Sequence, residues 1–375
     1  MHRKKFIVIF LAFVLLVGLW SWLQRTPPTE ATPDTFKPSP IASSNHQTAP
    51  VLPSVNRNAL KSIARQLVAA GSTTDRLAAL LQLRQALKSG TVQEKVNIVR
   101  QLLESKADGT TGLGFKIGTG GALLEAPTLR TWLLEELASL DSAAAASYAR
   151  EVLKSSNSPD EWALALRNLA RGDSSSNAQA LLETKTAELL RNEAWRRDPS
   201  AGYLEAFDVT VYIGGTNLLA PLTEMVSMQN NRAVAHAAYL ALDRLVINQS
   251  AQVLAAINDH PEWMTGREET RANYFARADL ADVEQRRLVE SYLLDSSRSP
   301  QELATFAGIF PNANFMISHN LLTVEKPLGG VTLRQRDQVA LETVDQWLSD
   351  NRFEKLKPLL TTIQKRLGAF TSQSK

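Results

Sequence analysis

Apolar residues recur every three or four positions along most of this chain, which is the spacing of one face of an α-helix. Leu60, Ile63 and Leu67 form the first such stripe, and Gly71 follows at the position of a helix C-terminal cap. Similar stripes, joined by short connections, continue almost to the end of the chain. The pattern predicts an all-α domain over residues 59–370.

Short connections between helices of similar length favour antiparallel pairs stacked in series. In the helix predicted over residues 231–244, alanines are interleaved with larger apolar residues such as Val234 and Leu242. This composition resembles the inner helices of HEAT-like repeats. The resemblance covers the domain as a pattern only, and it implies a right-handed-type α-solenoid of antiparallel helix pairs.

Two segments share the frame Ser-Ser-x-Ser-Pro-x-Glu, at residues 155–161 and 296–302. Serine as N-cap, proline at the first helical position and glutamate in the first turn are ordinary features of a helix start. The frame therefore indicates either a duplicated repeat or two independent helix starts.

Two glycine pairs interrupt the helical pattern, Gly120-Gly121 and Gly214-Gly215, and each begins the frame Gly-Gly-x-x-Leu-x-Ala-Pro. Alternating apolar residues precede each pair, which predicts a short strand in front of it. A looser third copy spans residues 315–330. We expect a positive φ at both glycine pairs, whereas Gly172 is expected at an ordinary helix end.

Three interpretations of these glycine segments are open. A phosphate-binding loop needs a glycine-rich turn between a strand and a helix, and Gly112, Gly114 and Gly118 match that pattern only loosely. Alternatively, the segments are turns that pack between helices, or β-like excursions at one edge of the stack that bind a partner. In the last case the partner-binding residues are Phe115, Ile117, Gly120, Gly121, Val211, Gly214 and Gly215.

Trp195 and Arg196 lie in a highly charged stretch of the chain. An exposed tryptophan beside arginine is typical of a protein interface, so both are further candidate partner-binding residues. The alternative is a tryptophan ring that is buried at a helix end.

An apolar run from Phe6 to Leu23 is long enough to cross a bilayer as one helix. Basic residues precede the run, which predicts a cytoplasmic tip and transmembrane signal-anchor over residues 1–23 in an inner membrane, with the remainder in the periplasm. The alternative is a signal peptide that is cleaved near Ala31. Proline, serine and threonine dominate residues 24–58, which predicts a disordered linker, and a disordered tail is predicted at 371–375.

Charge and composition argue against several classes of function. The chain has 41 basic and 38 acidic residues, but the basic excess lies in the first 58 positions, so no basic stripe for nucleic acid is visible on the helical domain. The absence of cysteine excludes a lipid anchor and thiol catalysis. The five histidines lack metal-ligand spacing. We therefore expect no nucleic-acid partner, no metal and no cofactor.

The sequence contains no serine elbow and no convergent pair of carboxylates, so no catalytic residue is predicted. Extended helical stacks present long faces that suit protein or peptide partners. The sequence thus favours a membrane-tethered, non-catalytic scaffold that binds a protein or peptide in the cell envelope. The alternative is an envelope hydrolase with its active site near the glycine segments.

Overall fold

The structure, a computed structural model, describes residues 56–314, 318–325 and 327–372. These residues are 72% helical and include one small two-stranded hairpin, which confirms the prediction of a mostly helical domain. The predicted transmembrane segment and most of the predicted linker lie outside the described residues. Within the described ranges, no helix is both long enough and apolar enough to cross a membrane.

The first half of the described region contains seven helices and the hairpin. Their bounds are α1 (Arg57–Ala69), α2 (Thr73–Ala86), α3 (Val92–Glu104), β1 (Lys116–Ile117), β2 (Leu123–Glu125), α4 (Leu129–Leu140), α5 (Ser142–Ser155), α6 (Pro159–Gly172) and α7 (Ser176–Arg191). A short 3₁₀ turn, Thr119–Gly121, joins the two antiparallel strands.

The second half begins with three short helices, followed by longer ones. Their bounds are α8 (Glu193–Arg197), α9 (Ala201–Glu205), α10 (Asp208–Ile213), α11 (Leu219–Val226), α12 (Arg232–Asn248), α13 (Ser250–Asp259), α14 (Glu268–Phe275), α15 (Val283–Leu294), α16 (Pro300–Ile309), α17 (Gly330–Ser349) and α18 (Lys357–Ser372). Two 3₁₀ turns, Pro261–Met264 and Asn351–Leu356, complete the set.

Consecutive helices pack against each other in pairs, for example α1 with α2, α5 with α6, α11 with α12 and α17 with α18. The predicted apolar stripes supply the contacts: Leu60 and Leu67 of α1 are fully buried. Burial of one apolar face per helix is the main source of stability in such a stack.

Both Ser-Pro frames form helix starts of the same construction. Ser158 caps α6 by accepting a hydrogen bond from the Glu161 N–H, and Ser299 caps α16 by accepting one from the Glu302 N–H. In each case proline occupies the first turn, where its missing N–H costs nothing.

The glutamate of each frame also forms a buried ion pair with an arginine 31 residues earlier in the chain. Arg130 Nε lies 2.8 Å from Glu161 Oε1, and Arg271 Nε lies 2.7 Å from Glu302 Oε1. In both pairs Nη2 binds the second carboxylate oxygen, at 3.1 and 2.7 Å respectively. The two frames therefore share an ion-pair geometry as well as a capping pattern.

The segment before the second glycine pair differs from the sequence-based expectation. A strand was predicted through Val211, but residues Asp208–Ile213 form helix α10. Val209, Thr210 and Val211 are all buried, so their alternation does not mark one buried face, and the period of so short a segment is ambiguous. The segment before the first pair does contain a short strand, β1.

The expectation of positive φ at the glycine pairs is confirmed: φ is 65° at Gly120, 70° at Gly121, 71° at Gly214 and 72° at Gly215. Gly172 is the last residue of α6, as expected, but this helix end is not an ordinary one. A Cβ atom there would lie 2.0 Å from the backbone oxygen of Ser142, so this glycine permits α6 to approach the start of α5.

Candidate functional site

A cavity of about 630 Å³ lies in the C-terminal half of the domain. Five helices, α10, α12, α13, α15 and α17, contribute residues to it, together with the residues after α14. The rest of the lining comes from the stretch between α16 and α17, called the extended segment, whose described residues are 310–314, 318–325 and 327–329. The lining residues include Val211, Arg244, Ile247, Ser250, Arg277, Asp279, Val324, Glu325, Leu328 and Arg336.

Asp208, at the start of α10, holds one wall of this cavity in place. Its buried carboxylate accepts hydrogen bonds from the N–H groups of Leu322 and Thr323, at 2.7 and 2.8 Å, and from the Thr323 hydroxyl. Arg244 of α12 lies 3.6 Å from the same carboxylate and also pairs with Glu325. The extended segment is thereby fixed to α10 and α12 by charge-assisted hydrogen bonds.

Arg277 and Asp243 form a second buried ion pair beside the cavity. Arg277 Nε and Nη2 donate to the two Asp243 oxygens at 2.5 and 2.8 Å, and Nη1 donates to the carbonyl of Asn314. Burial raises the pKa of Asp243, and the adjacent Arg277 opposes that shift. The Asp243 carboxylate therefore compensates the charge of Arg277 within the protein.

Arg336 of α17 is the cation at this site without such compensation. Its Nη2 donates to the backbone oxygens of Arg277, at 2.8 Å, and Ala278, at 3.4 Å. Among the described residues no carboxylate lies within ion-pair distance of it. Burial lowers the pKa of Arg336, while the more distant Asp279 and Asp337 raise it. The cavity therefore contains a partly desolvated cation with incomplete pairing.

Two acceptor atoms at the cavity are also unused. Glu325 Oε2 and Ser250 Oγ are buried and have no hydrogen-bond partner among the described residues. A buried polar atom without a partner is costly, and one that lines a cavity is commonly satisfied by a bound molecule.

Apolar side chains form the rim. Ile247, Val324 and Leu328 are 46%, 72% and 38% exposed, respectively, and all line the cavity. An exposed apolar rim above a polar floor is a common construction of ligand sites, in which a few polar groups fix the orientation of a mostly apolar ligand.

The predicted partner-binding residues do not form a single surface. Val211 lines the cavity. The first glycine pair is linked to Leu321, two residues before Thr323 of the cavity lining: Arg171 Nη2 donates to the backbone oxygens of Gly120 and Leu321, at 2.6 and 2.9 Å. Arg167 donates to the Gly121 oxygen at 2.8 Å.

The remaining predicted residues lie elsewhere. Ile117 is buried, whereas Phe115 is half-buried and lies close to Gly202 of α9. At the second glycine pair, the N–H of Gly215 donates to Gln249 Oε1 at 2.7 Å, and a Cβ at Gly214 would meet the same side chain.

Trp195 and Arg196 lie in α8, where both are partly buried. The ring of Trp195 packs edge-on against Trp162, with centroids 5.2 Å apart, and Arg196 Nη1 pairs with Glu224 at 3.1 Å. An interface role for these two residues remains a prediction.

The polar floor of the cavity was not predicted from the sequence. Arg336 looks like any exposed arginine of an amphipathic helix, and Glu325 lies in a segment without periodicity. No spacing rule joins them, since they converge only through the tertiary fold. Within the described residues, no group of three or more His, Asp or Glu is placed to hold a metal ion.

Comparison with known protein families, with curated proteins and with solved structures finds no match to this chain. The site offers a fixed cation, acceptors without a partner among the described residues and an apolar rim, which suit a ligand that carries both polar and apolar groups.

Proposed function

We propose that this protein is a membrane-tethered, extracytoplasmic helical scaffold that binds a protein or peptide partner without catalysing a reaction on it. The cavity beside Arg336 is the observation that carries the proposal. Among the described residues, its cation has only backbone acceptors and its acceptors on Glu325 and Ser250 have no donor, which matches the mixed donors and acceptors of a peptide backbone. Its apolar rim matches peptide side chains.

The anchoring part of the proposal is supported by the sequence. The apolar run from Phe6 to Leu23 and its basic N-terminal flank favour insertion into an inner membrane with the helical domain in the periplasm. The proline-rich residues 24–58 would then act as a spacer.

We further propose that the helices form a HEAT-like, right-handed α-solenoid that contains a duplicated unit. The matching ion pairs Arg130–Glu161 and Arg271–Glu302 support duplication. Aspartates at the same offset add to it, because Asp141 caps α5 and Asp282 caps α15. Two independent helix starts need neither a buried arginine partner nor the same spacing to it.

The hydrolase alternative has less support. The side chains that hydrogen-bond to the two glycine pairs are Arg167, Arg171 and Gln249, none of which is a nucleophile or a general base at neutral pH. Their donors and acceptors are used to fix the backbone of the glycine segments.

Site-specific photo-crosslinking of the full chain in its native membrane tests the proposal. A photo-reactive residue replaces Val324, which is 72% exposed at the cavity rim, or Val92, which is 55% exposed at the start of α3, a helix that contributes no residue to the cavity. We expect a crosslinked polypeptide from position 324 and none from position 92. Equal labelling from both positions, or from neither, would contradict a partner at the cavity.

Topology is tested separately. A reporter that is active only outside the cytoplasm, fused after Lys375, should be active and should remain with the membrane after an alkaline wash. Recovery of a shortened, soluble chain would instead indicate cleavage near Ala31.

A further inference from the structure

The three arginines of the cavity differ in how their charge is balanced. Arg244 pairs with Asp208 and Glu325, and Arg277 pairs with Asp243. Arg336 has no ion pair among the described residues, although it is only partly exposed. Burying a cation without a counter-ion is unfavourable, because the lost hydration is not replaced. An anionic group of a ligand beside Arg336 would supply the missing counter-ion and offset the lost hydration.

The guanidinium of Arg336 also has unused donors. Both of its hydrogen bonds to the described residues come from Nη2, so Nε and Nη1 have no hydrogen-bond partner among those residues. A guanidinium has five N–H donors in a rigid plane, and this geometry matches the two oxygens of a carboxylate. The backbone carbonyls of Arg277 and Ala278 fix the plane in advance, which lowers the entropic cost of binding.

The rest of the cavity restricts which anion fits. Glu325 Oε2 is a free acceptor beside the site, and Asp279 adds a second carboxylate to the lining. Their negative charge disfavours a dianion such as phosphate more than a ligand with a single negative charge, because the repulsion grows with the charge of the ligand. They would accept the N–H donors of such a singly charged ligand.

We infer that the cavity binds a peptide through one of its carboxylates, with Arg336 holding the carboxylate, Glu325 accepting a peptide N–H, and Ile247, Val324 and Leu328 contacting the apolar side chains. This inference rests on the proposed peptide-binding function and adds the group that is recognised. The carboxylate belongs either to the C-terminus of the peptide or to an aspartate or glutamate within it.

Peptide binding to the full chain in detergent micelles tests this inference by fluorescence anisotropy. The probes are degenerate hexapeptide libraries with an uncharged fluorophore at the N-terminus. One library has a free C-terminal carboxylate and no acidic residue, and a second is its C-terminal amide. A third is an amide that includes aspartate and glutamate.

We expect one of the two carboxylate-bearing libraries to bind about tenfold more tightly than the neutral amide, or better, as charge-assisted hydrogen bonds imply. Preference for the first library identifies the C-terminus as the source, and preference for the third identifies an acidic side chain. Arg336→Gln should abolish the preference and leave binding of the neutral amide unchanged. Arg336→Lys should restore part of it, because the charge returns without the planar pair of donors.

Arg334→Gln is the matched control, because Arg334 is exposed on the same helix and should not affect the preference. Equal binding of all three libraries, a preference that survives Arg336→Gln, or no binding of any library would overturn the inference. Because crosslinking from position 324 is independent of ligand charge, it would still report a partner there. Failure of the carboxylate inference is thus distinguishable from failure of the proposed function.

Discussion

Replacing Gly121 by alanine should destabilise the domain more than the same change at Gly120, although both glycines have nearly the same φ, 70° and 65°. A positive φ costs an alanine about 1 kcal/mol at either position. At Gly120 the added Cβ meets no atom within 4 Å, so that cost is the whole effect.

At Gly121 the added Cβ would lie 2.1 Å from the backbone oxygen of Leu321 and 2.4 Å from Arg171 Nη2. Backbone cannot rotate away as a side chain does, so the hairpin and the extended segment must separate. Separation weakens the hydrogen bonds from Arg171 to Gly120 and Leu321, and a hydrogen bond of a charged group contributes about 1.5–3 kcal/mol. We therefore expect Gly121→Ala to cost about 3 kcal/mol in free energy of unfolding.

Thermal unfolding of the full chain in detergent, followed by circular dichroism, measures the difference. At about 2 °C per kcal/mol for a domain of this size, Tm should fall by about 6 °C for Gly121→Ala and about 2 °C for Gly120→Ala. Equal shifts for the two variants would refute the reasoning, since they would mean that the segment moves away from the hairpin without cost.

Three further changes address other parts of the structure. Glu302→Gln leaves the buried cation of Arg271 uncompensated and should lower the free energy of unfolding by about 3–5 kcal/mol, as denaturant titration would show. Asp208→Ala should speed hydrogen exchange of the two backbone amides that its carboxylate binds, while exchange in α1 stays unchanged. Hydrogen bonds from Ser175, and then Arg150, lower the pKa of Asp173 to about 2, so its stabilising contribution is present above about pH 4 and is lost as the pH falls through 2. The Tm difference between wild type and Asp173→Asn should therefore close between pH 4 and pH 2, and a constant difference would contradict this assignment.

Local chemistry explains which features were predictable from the sequence. The stripe through Leu60 and Leu67 and the serine cap before Pro159 depend on neighbouring residues, so helix positions follow from spacing. Positive φ at the glycine pairs was predictable for the same reason, because only glycine adopts that conformation without strain.

Tertiary contacts explain the errors. All five residues from Phe207 to Val211 are buried, so burial in the domain decided their conformation rather than a two-residue period. Gly172 is required by the Ser142 carbonyl, which sequence alone does not place beside it. The cation of Arg336 is functional in our proposal only because no carboxylate of the described residues lies within ion-pair distance of it, and pairing of that kind is not encoded in local spacing.

The contact between the glycine hairpin and the extended segment changes how the stack can assemble. In a simple row of repeats each unit touches only its neighbours, so folding can begin anywhere and the ends can fray independently. Here Arg171 binds Leu321, a residue 150 positions later. Because synthesis proceeds from the N-terminus, the hydrogen bond between Arg171 and Leu321 cannot form until the chain has been made beyond Leu321. One of the last segments to be made therefore completes the contacts of the early helices. Contacts between residues so far apart in sequence slow folding and couple the two halves of the domain into one cooperative unit.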